Sequence, residues 1–467
     1  MLWLRFHRRQ AGFCGCALAA VVAVSTGSAQ VTGKPNPLAT FTPLGDVYSA
    51  IGNPSEALGI TPDGTTVVGT GTVPNGTIAF KWSFEGGVQL LPPIADNSSA
   101  PYSQATAINA DGSIVIGLSS GLGTLGTAVF WDGSGAVTSL GYLPATNPVS
   151  LANAISDDGT IIVGGSETDG GLRAFRWTRA TGMVNMGVWG SVVTQSQAAG
   201  LSGDGVTAVG SGGNAGLTYV QGFRWTTAGY HQISDWTTGS ETRLEAKSVS
   251  HDGSVIGGYG VSANGYEAFV WTAVDGLVGL GDLPGGPFES YVRGMSANGS
   301  VIVGFGSTAQ GYEAFYWTAD KGMVRLADLL TANGANLNGY FLQQAQAVSA
   351  DGTVIVGSAV SPSGVVVAFM AKVPPPTPNA DWNHSGLITI QDIFDFLTSW
   401  FGGNADFNLD GVTTTQDIFD FLSAWFAESS AAGPLSLPML PVAPGIGDLD
   451  TGGLPSSVDN LLLLPTP

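Results

Sequence analysis

The chain has 467 residues, of which 69 are Gly and only 11% are charged, with 35 Asp and Glu against 15 Lys and Arg. A net charge of −20 with no Lys/Arg stripe to offset it repels phosphate backbones and anionic lipid, which excludes nucleic-acid binding. A hydrophobic share of 44% excludes general disorder, and the length calls for several domains or one large repeat architecture.

Residues 1–29 carry Arg5, Arg8 and Arg9 ahead of an apolar stretch at 17–24 and small residues at 25–29. This is the pattern of a secretory signal peptide cleaved after Ala29, and it predicts an exported protein, secreted or held at the cell surface. Cys14 and Cys16 both precede the apolar stretch, which argues against a lipoprotein anchor, and their removal leaves no disulfide. No other stretch reaches the ~18 uninterrupted apolar residues of a membrane span.

From residue 30 to 373 the sequence repeats. Asp-Gly or Asn-Gly recurs at Asp63, Asp111, Asp158, Asp204, Asp252, Asn298 and Asp351, which defines seven units. Each pair is followed by an apolar run closed by Gly, then by an aromatic segment ending in Trp82, Trp131, Trp177, Trp225, Trp271 or Trp317, with Met370 in the seventh place. Four short strands per unit are expected, with Asp-Gly in two-residue hairpins whose central positions need positive φ. Seven such units predict a mainly β fold, a seven-bladed β-propeller, because a four-stranded blade buries both faces only when stacked radially. Unit seven lacks its fourth strand, and residues 41–46 carry a lone copy of it, so an N-terminal strand is expected to close the ring.

These units, with Leu-Gly-Asp-Leu-Pro-Gly-Gly from Leu280, Met-Ser-Ala-Asn-Gly from Met295 and Glu-Ala-Phe-Tyr-Trp from Glu313, resemble the HAF family of bacterial extracellular repeats. The eponymous His is replaced by Glu267, Glu313, Arg173 or Val367, and the resemblance implies export and fold without an activity. His231, His251 and His384 select no Ser/His/Asp arrangement, and His251 reads as an exposed neighbour of the Asp252-Gly253 turn. The repeated Asp residues read as turn formers, and the Trp residues as packing between blades.

A Pro-rich linker at 374–379 leads to two copies of a 25-residue unit within 380–427. Asp381, Asn383, Ser385, Leu387, Thr389 and Asp392 stand at loop positions 1, 3, 5, 7, 9 and 12 of the first copy, as Asp406, Asn408, Asp410, Val412, Thr414 and Asp417 do in the second. With Gly386 and Gly411 at position 6, this spacing wraps Ca²⁺ in the EF-hand manner, so two Ca²⁺ sites are expected, the second loop having more carboxylates. Paired loops with Asp at position 12, each followed by one helix, resemble the type I dockerin domain, and the resemblance implies a small α-helical domain that binds a cohesin-like partner. At helical spacing Ile393, Phe396, Leu397 and Trp400 share one face with the core, as do Ile418, Phe421, Leu422 and Trp425. Phe394, Phe401, Phe419 and Phe426 lie off that face as the expected partner-binding surface, and residues 428–467 read as a tail.

Taken together, these features predict a secreted, non-catalytic propeller for binding or scaffolding, tethered through calcium-dependent contacts to a cohesin-like partner, with polysaccharide as a candidate ligand. The alternatives are a polysaccharide-degrading hydrolase or lyase carrying the same module, and a structural surface-layer protein.

Overall fold

The computed structural model describes residues 38–431 apart from 46–52, 95–101, 122–123, 215, 217–218, 234–235, 237–241, 376–379, 381, 383–387 and 408–411. The leader and residues 432–467 of the 428–467 tail read from the sequence lie outside the described residues, as do several loop positions.

Each repeated Asp-Gly pair sits in the turn between the first two strands of its unit. In unit one the Gly64 amide donates to Thr61 O at 2.9 Å, the Thr61 amide donates to Thr66 O at 2.9 Å, and Asp63 Oδ1 accepts from the Thr65 amide at 3.0 Å. Only the glycine is left-handed: Gly64 has φ +72°, and among the described residues the one non-glycine with positive φ is Asn338. The expected two-residue hairpin is thereby corrected to a longer turn, because Asp63 keeps an ordinary backbone and uses its carboxylate to hold the amide two residues on.

The turns connect antiparallel strands into a mainly β, propeller-like fold. Among the described residues, five separate four-stranded sheets and one eight-stranded sheet account for seven groups of four strands. The eight-stranded sheet is two such groups joined by a short parallel contact, Tyr219 and Val220 against Thr242 and Arg243. Strand Thr40–Pro43 completes the last group by pairing antiparallel with residues 369–372, as the lone strand copy anticipated.

In every group the first strand carries a bulge. It falls between Ala57 and Gly59, Ala105 and Ala107, Ala152 and Ala154, Ala198 and Gly200, Ala246 and Ser248, Val292 and Gly294, and Ala345 and Ala347. The glycine that closes each apolar run is required beside it. A Cβ on Gly69, Gly164 or Gly304 would lie 2.0 Å from the carbonyl oxygen of Glu56, Leu151 or Tyr291 in the bulged strand.

Neighbouring groups are joined by a repeated serine. Ser103 Oγ accepts from the Ala79 amide and donates to Leu91 O, both at 2.9 Å; Ser150, Ser196 and Ser290 repeat the contact with Ala128, Ala174 and Ala268. Ser55 makes the same contact with the Ala368 amide at 3.0 Å, 313 residues away, so the last group meets the first as the other serine-bridged pairs meet. Five groups carry the serine; Leu244 and Leu342 stand in its register position in the other two, and before Leu244 the Ala of the preceding group is Gly222, since a Cβ would come 2.5 Å from Leu244 Cδ2.

The C-terminal helices are α2 (Ile390–Phe401) and α3 (Thr415–Ala431), following a short α1 (Leu326–Ala332) in the β region. α3 runs past residue 427 to Ala431, because Phe426-Ala-Glu-Ser-Ser-Ala contains no helix breaker. Phe396 and Phe421 stack at 4.2 Å with parallel planes, and with Trp425 and Phe407 they form the buried centre of this pair. Among the described residues no helix is long and apolar enough to cross a membrane.

Replacing Ser55 by Ala should cost about 1–2 kcal/mol, in the range of Ser103→Ala, since each leaves a buried amide unpaired. Chemical denaturation measures both; a silent Ser55→Ala beside a costly Ser103→Ala would mean that the first and last groups do not close on each other in solution.

Candidate functional site

The bulged first strands of all seven groups surround one cavity of about 280 Å³. A bulge leaves one residue unpaired and re-aims its side chain. Those residues are Leu58, Thr106, Asn153, Ala199, Lys247, Arg293 and Gln346, and all except Asn153 line the cavity. Asn153 instead donates to Ala198 O at 2.7 Å, and Thr106 donates to Ala152 O at 2.8 Å.

At one end of the cavity the residues just before the Asp-Gly turns form a chain of backbone hydrogen bonds. Ala110 donates to Asp157 O, Asp157 to Gly203 O, Gly203 to His251 O, His251 to Ala297 O, Ala297 to Ala350 O, and Ala350 to Pro62 O, at 2.7–3.1 Å. The seventh link, from residue 62 to Ala110, is not made because proline has no N–H.

On this ring His251 Nε2 lies 2.8 Å from Asp157 Oδ2. The two belong to groups five and three, so the contact passes over group four, where Gly203 leaves the space: a Cβ there would sit 2.2 Å from His251 Cδ2 and 2.9 Å from Asp157 Oδ2. The hydrogen bond to Asp157 raises the His251 pKa above 6.5, more than partial burial lowers it, and the Asp204 and Asp252 carboxylates push the same way. A raised imidazole pKa means that the pair stabilises the fold fully below pH 6.5, and the contribution fades as pH rises through the raised value.

The other cations of the lining differ in their pairing. Lys247 Nζ lies 2.8 Å from Glu245 Oε2, and Arg243 reaches the other oxygen of the same carboxylate at 2.8 Å. Burial alone would raise the Glu245 pKa, but Lys247 and Arg243 hold it below the usual carboxylate value. Arg293 is exposed and has its guanidinium carbon 5.1 Å from the centre of the Phe305 ring.

His251 was read from the sequence as an exposed turn neighbour, and it is exposed, its side chain at 54%, but it is also paired with Asp157, which that reading missed. The signal for it was a failure to repeat. Ser, Ala-Phe and Asp-Gly recur in nearly every unit, whereas the position before Asp-Gly reads Pro62, Ala110, Asp157, Gly203, His251, Ala297 and Ala350.

In the C-terminal pair, Thr389 caps α2: its Oγ accepts from the Gln391 amide, and Asp392 Oδ2 accepts from the Thr389 amide at 2.7 Å. Thr414 and Asp417 repeat this at α3, and Asp417 Oδ1 also accepts from the Phe407 amide at 2.9 Å. Asp392 and Asp417 are fully buried. Asp406 and Val412 fall within the described residues, Val412 exposed, while Asp381, Asn383, Ser385, Leu387, Asn408 and Asp410 lie outside them. No group of three or more His, Cys, Asp or Glu residues fit to hold a metal occurs among the described residues. Phe394, Phe401, Phe419 and Phe426 are all exposed, at 59–79%.

No known protein family matches the chain, and no curated protein does. Solved structures do resemble it. TolB from Acinetobacter baumannii is 14% identical with a TM-score of 0.37, over 58% of this chain and 62% of that one. An oligogalacturonate lyase in complex with manganese is 13% identical with a TM-score of 0.45, over 73% and 92%. A puromycin hydrolase is 14% identical with a TM-score of 0.49, over 72% and 56%. The chain therefore spans under two thirds of the TolB and puromycin hydrolase structures, and at these identities the likeness is one of fold. The expectation of a non-catalytic scaffold tethered to a cohesin-like partner is corrected here: the solved structures that resemble the chain are named as TolB, a lyase and a hydrolase, and none of these as a cohesin-tethered scaffold.

Asp157→Asn should lower the His251 pKa toward that of a free imidazole. Titration of the ring protons by NMR checks this, and an unchanged midpoint would show that Asp157 does not hold the proton on His251.

Proposed function

We propose that the protein is an exported enzyme that cleaves glycan chains, a polysaccharide hydrolase or lyase, with its site in the cavity of a seven-bladed propeller. The observation that carries this reading is the His251–Asp157 pair at 2.8 Å, built across two intervening junctions over a glycine that makes room for it. Asp157 orients the imidazole and raises its basicity, which suits His251 to proton transfer. Hydrolases of the common two-carboxylate type need a pair of acids flanking the bond. The described lining has one carboxylate, Asp157, so His251 is the acid–base group and elimination fits better than two-carboxylate hydrolysis. A volume of about 280 Å³ suits the end of a glycan chain more than its middle. The glycan itself is inferred from the C-terminal module, whose resemblance is to modules that accompany polysaccharide-degrading domains.

That module fits calcium on the chemistry of its donors. No Lys or Arg occurs after Lys372, yet Asp392 and Asp417 are fully buried. Each stands at position 12 of its loop, where the EF-hand manner of binding requires a carboxylate ligand, alongside the other oxygen side chains of that loop. Asp381, Asn383, Ser385, Leu387, Thr389 and Asp392 would hold one ion, and Asp406, Asn408, Asp410, Val412, Thr414 and Asp417 the other. The cation's role is to neutralise these carboxylates, so that α2 and α3 dock through Phe396 and Phe421.

Two experiments test the proposal. Screening the full chain on polysaccharides should reveal turnover, and His251→Ala should reduce it about 10²–10⁴-fold without lowering Tm by more than a few degrees; turnover unaffected by His251→Ala would move the site elsewhere. Calcium should raise helix content and the Tm of the C-terminal module, and Asp392→Asn with Asp417→Asn should abolish the response. A chain that melts identically in calcium and in chelator would refute the metal sites.

A further inference from the structure

We infer that the glycan is acidic, and that Arg293 is the residue that selects its carboxylate. The inference rests on the reading of the cavity as a glycan site, and names the substrate class for it. Arg293 is the bulged residue of group six and lines the cavity, where the equivalent positions of five other groups are the uncharged Leu58, Thr106, Asn153, Ala199 and Gln346. The fold therefore needs no cation at this place. Lys247, the equivalent residue of group five, is already committed to Glu245, whereas Arg293 makes no ion pair or hydrogen bond among the described residues.

Its support is aromatic. Phe305 is 93% buried and stacks on Tyr291 at 4.9 Å with planes 23° apart, and the Arg293 guanidinium lies 5.1 Å from its centre. This shelf attracts the cation through the ring's π-face, and a guanidinium so held keeps N–H groups available to donate. Two parallel N–H donors match the two oxygens of a carboxylate and gain little from a hydroxyl. Keeping such a cation unpaired in a chain of net charge −20 is a specific arrangement, because most other acidic surface of the molecule repels an anionic sugar.

The test compares a galacturonate trisaccharide, its methyl ester and a neutral glucan trisaccharide, using calorimetric binding and steady-state kinetics on the full chain. The acid should be bound and turned over best, and Arg293→Gln should weaken it about 10–100-fold at unchanged Tm, with Arg293→Lys restoring part of the loss. The methyl ester should be indifferent to either change. Equal treatment of acid and ester by the wild type would overturn the acidic-substrate inference while leaving glycan cleavage in place. A preference for acid that survives Arg293→Gln would overturn the assignment to Arg293. Absence of binding and turnover across acidic and neutral glycans alike would overturn the glycan reading beneath it.

Discussion

The bulge in the first strand of every unit is the feature on which the rest of the molecule depends. An extra residue there turns a carbonyl oxygen toward the second strand, to within about 2.0 Å of where a Cβ would be, so that only glycine can follow the apolar run. In four groups a Phe of the third strand then closes over that glycine, as Phe315 does over Gly304, where an added Cβ would come 2.9 Å from the ring. The same extra residue is released from pairing and presented to the cavity. One local irregularity thus fixes a sequence motif, a packing contact and the identity of the lining.

Separate constraints hold the seven groups in a circle. Serine side chains bridge the junctions near the start of the first strands, and backbone amides link the groups at the far end of those strands. Both contacts are local to a junction, so a defect at one need not spread. Leu244 displaces a serine and is answered by Gly222 and by a parallel strand contact; Pro62 removes one amide from the ring and is tolerated. This tolerance allows the units to diverge at the axis while keeping the same frame.

Much of the frame was legible in the sequence because its causes recur. Asp-Gly, the closing glycines and the Ala-Phe pairs repeat at a near-constant interval, and the strand at 40–43 could be recognised as the missing member of the last group. The helical faces were legible for the same reason: Phe396 and Phe421 are buried while Phe394 and Phe419 are exposed, as their spacing requires. The turn type was misjudged, since Asp-Gly is compatible with several turns and the choice depends on which carbonyl the glycine amide reaches. The site was not legible. Asp157 and His251 are 94 positions apart, and the angular distance between groups three and five is set by ring closure, which no local pattern encodes.

The His251–Asp157 pair at the axis follows from this geometry. Away from it, groups three and five are separated by a whole intervening group, and their residues cannot meet. Only where the first strands converge do nonadjacent groups come within reach of a single side chain, and then only if the group between them gives up its own. Gly203 does so: with any larger residue the imidazole would be displaced by the added Cβ, and Asp157 would lose the partner that it reaches at 2.8 Å. The absence of a side chain in group four is therefore as much a part of the site as the two side chains that meet across it.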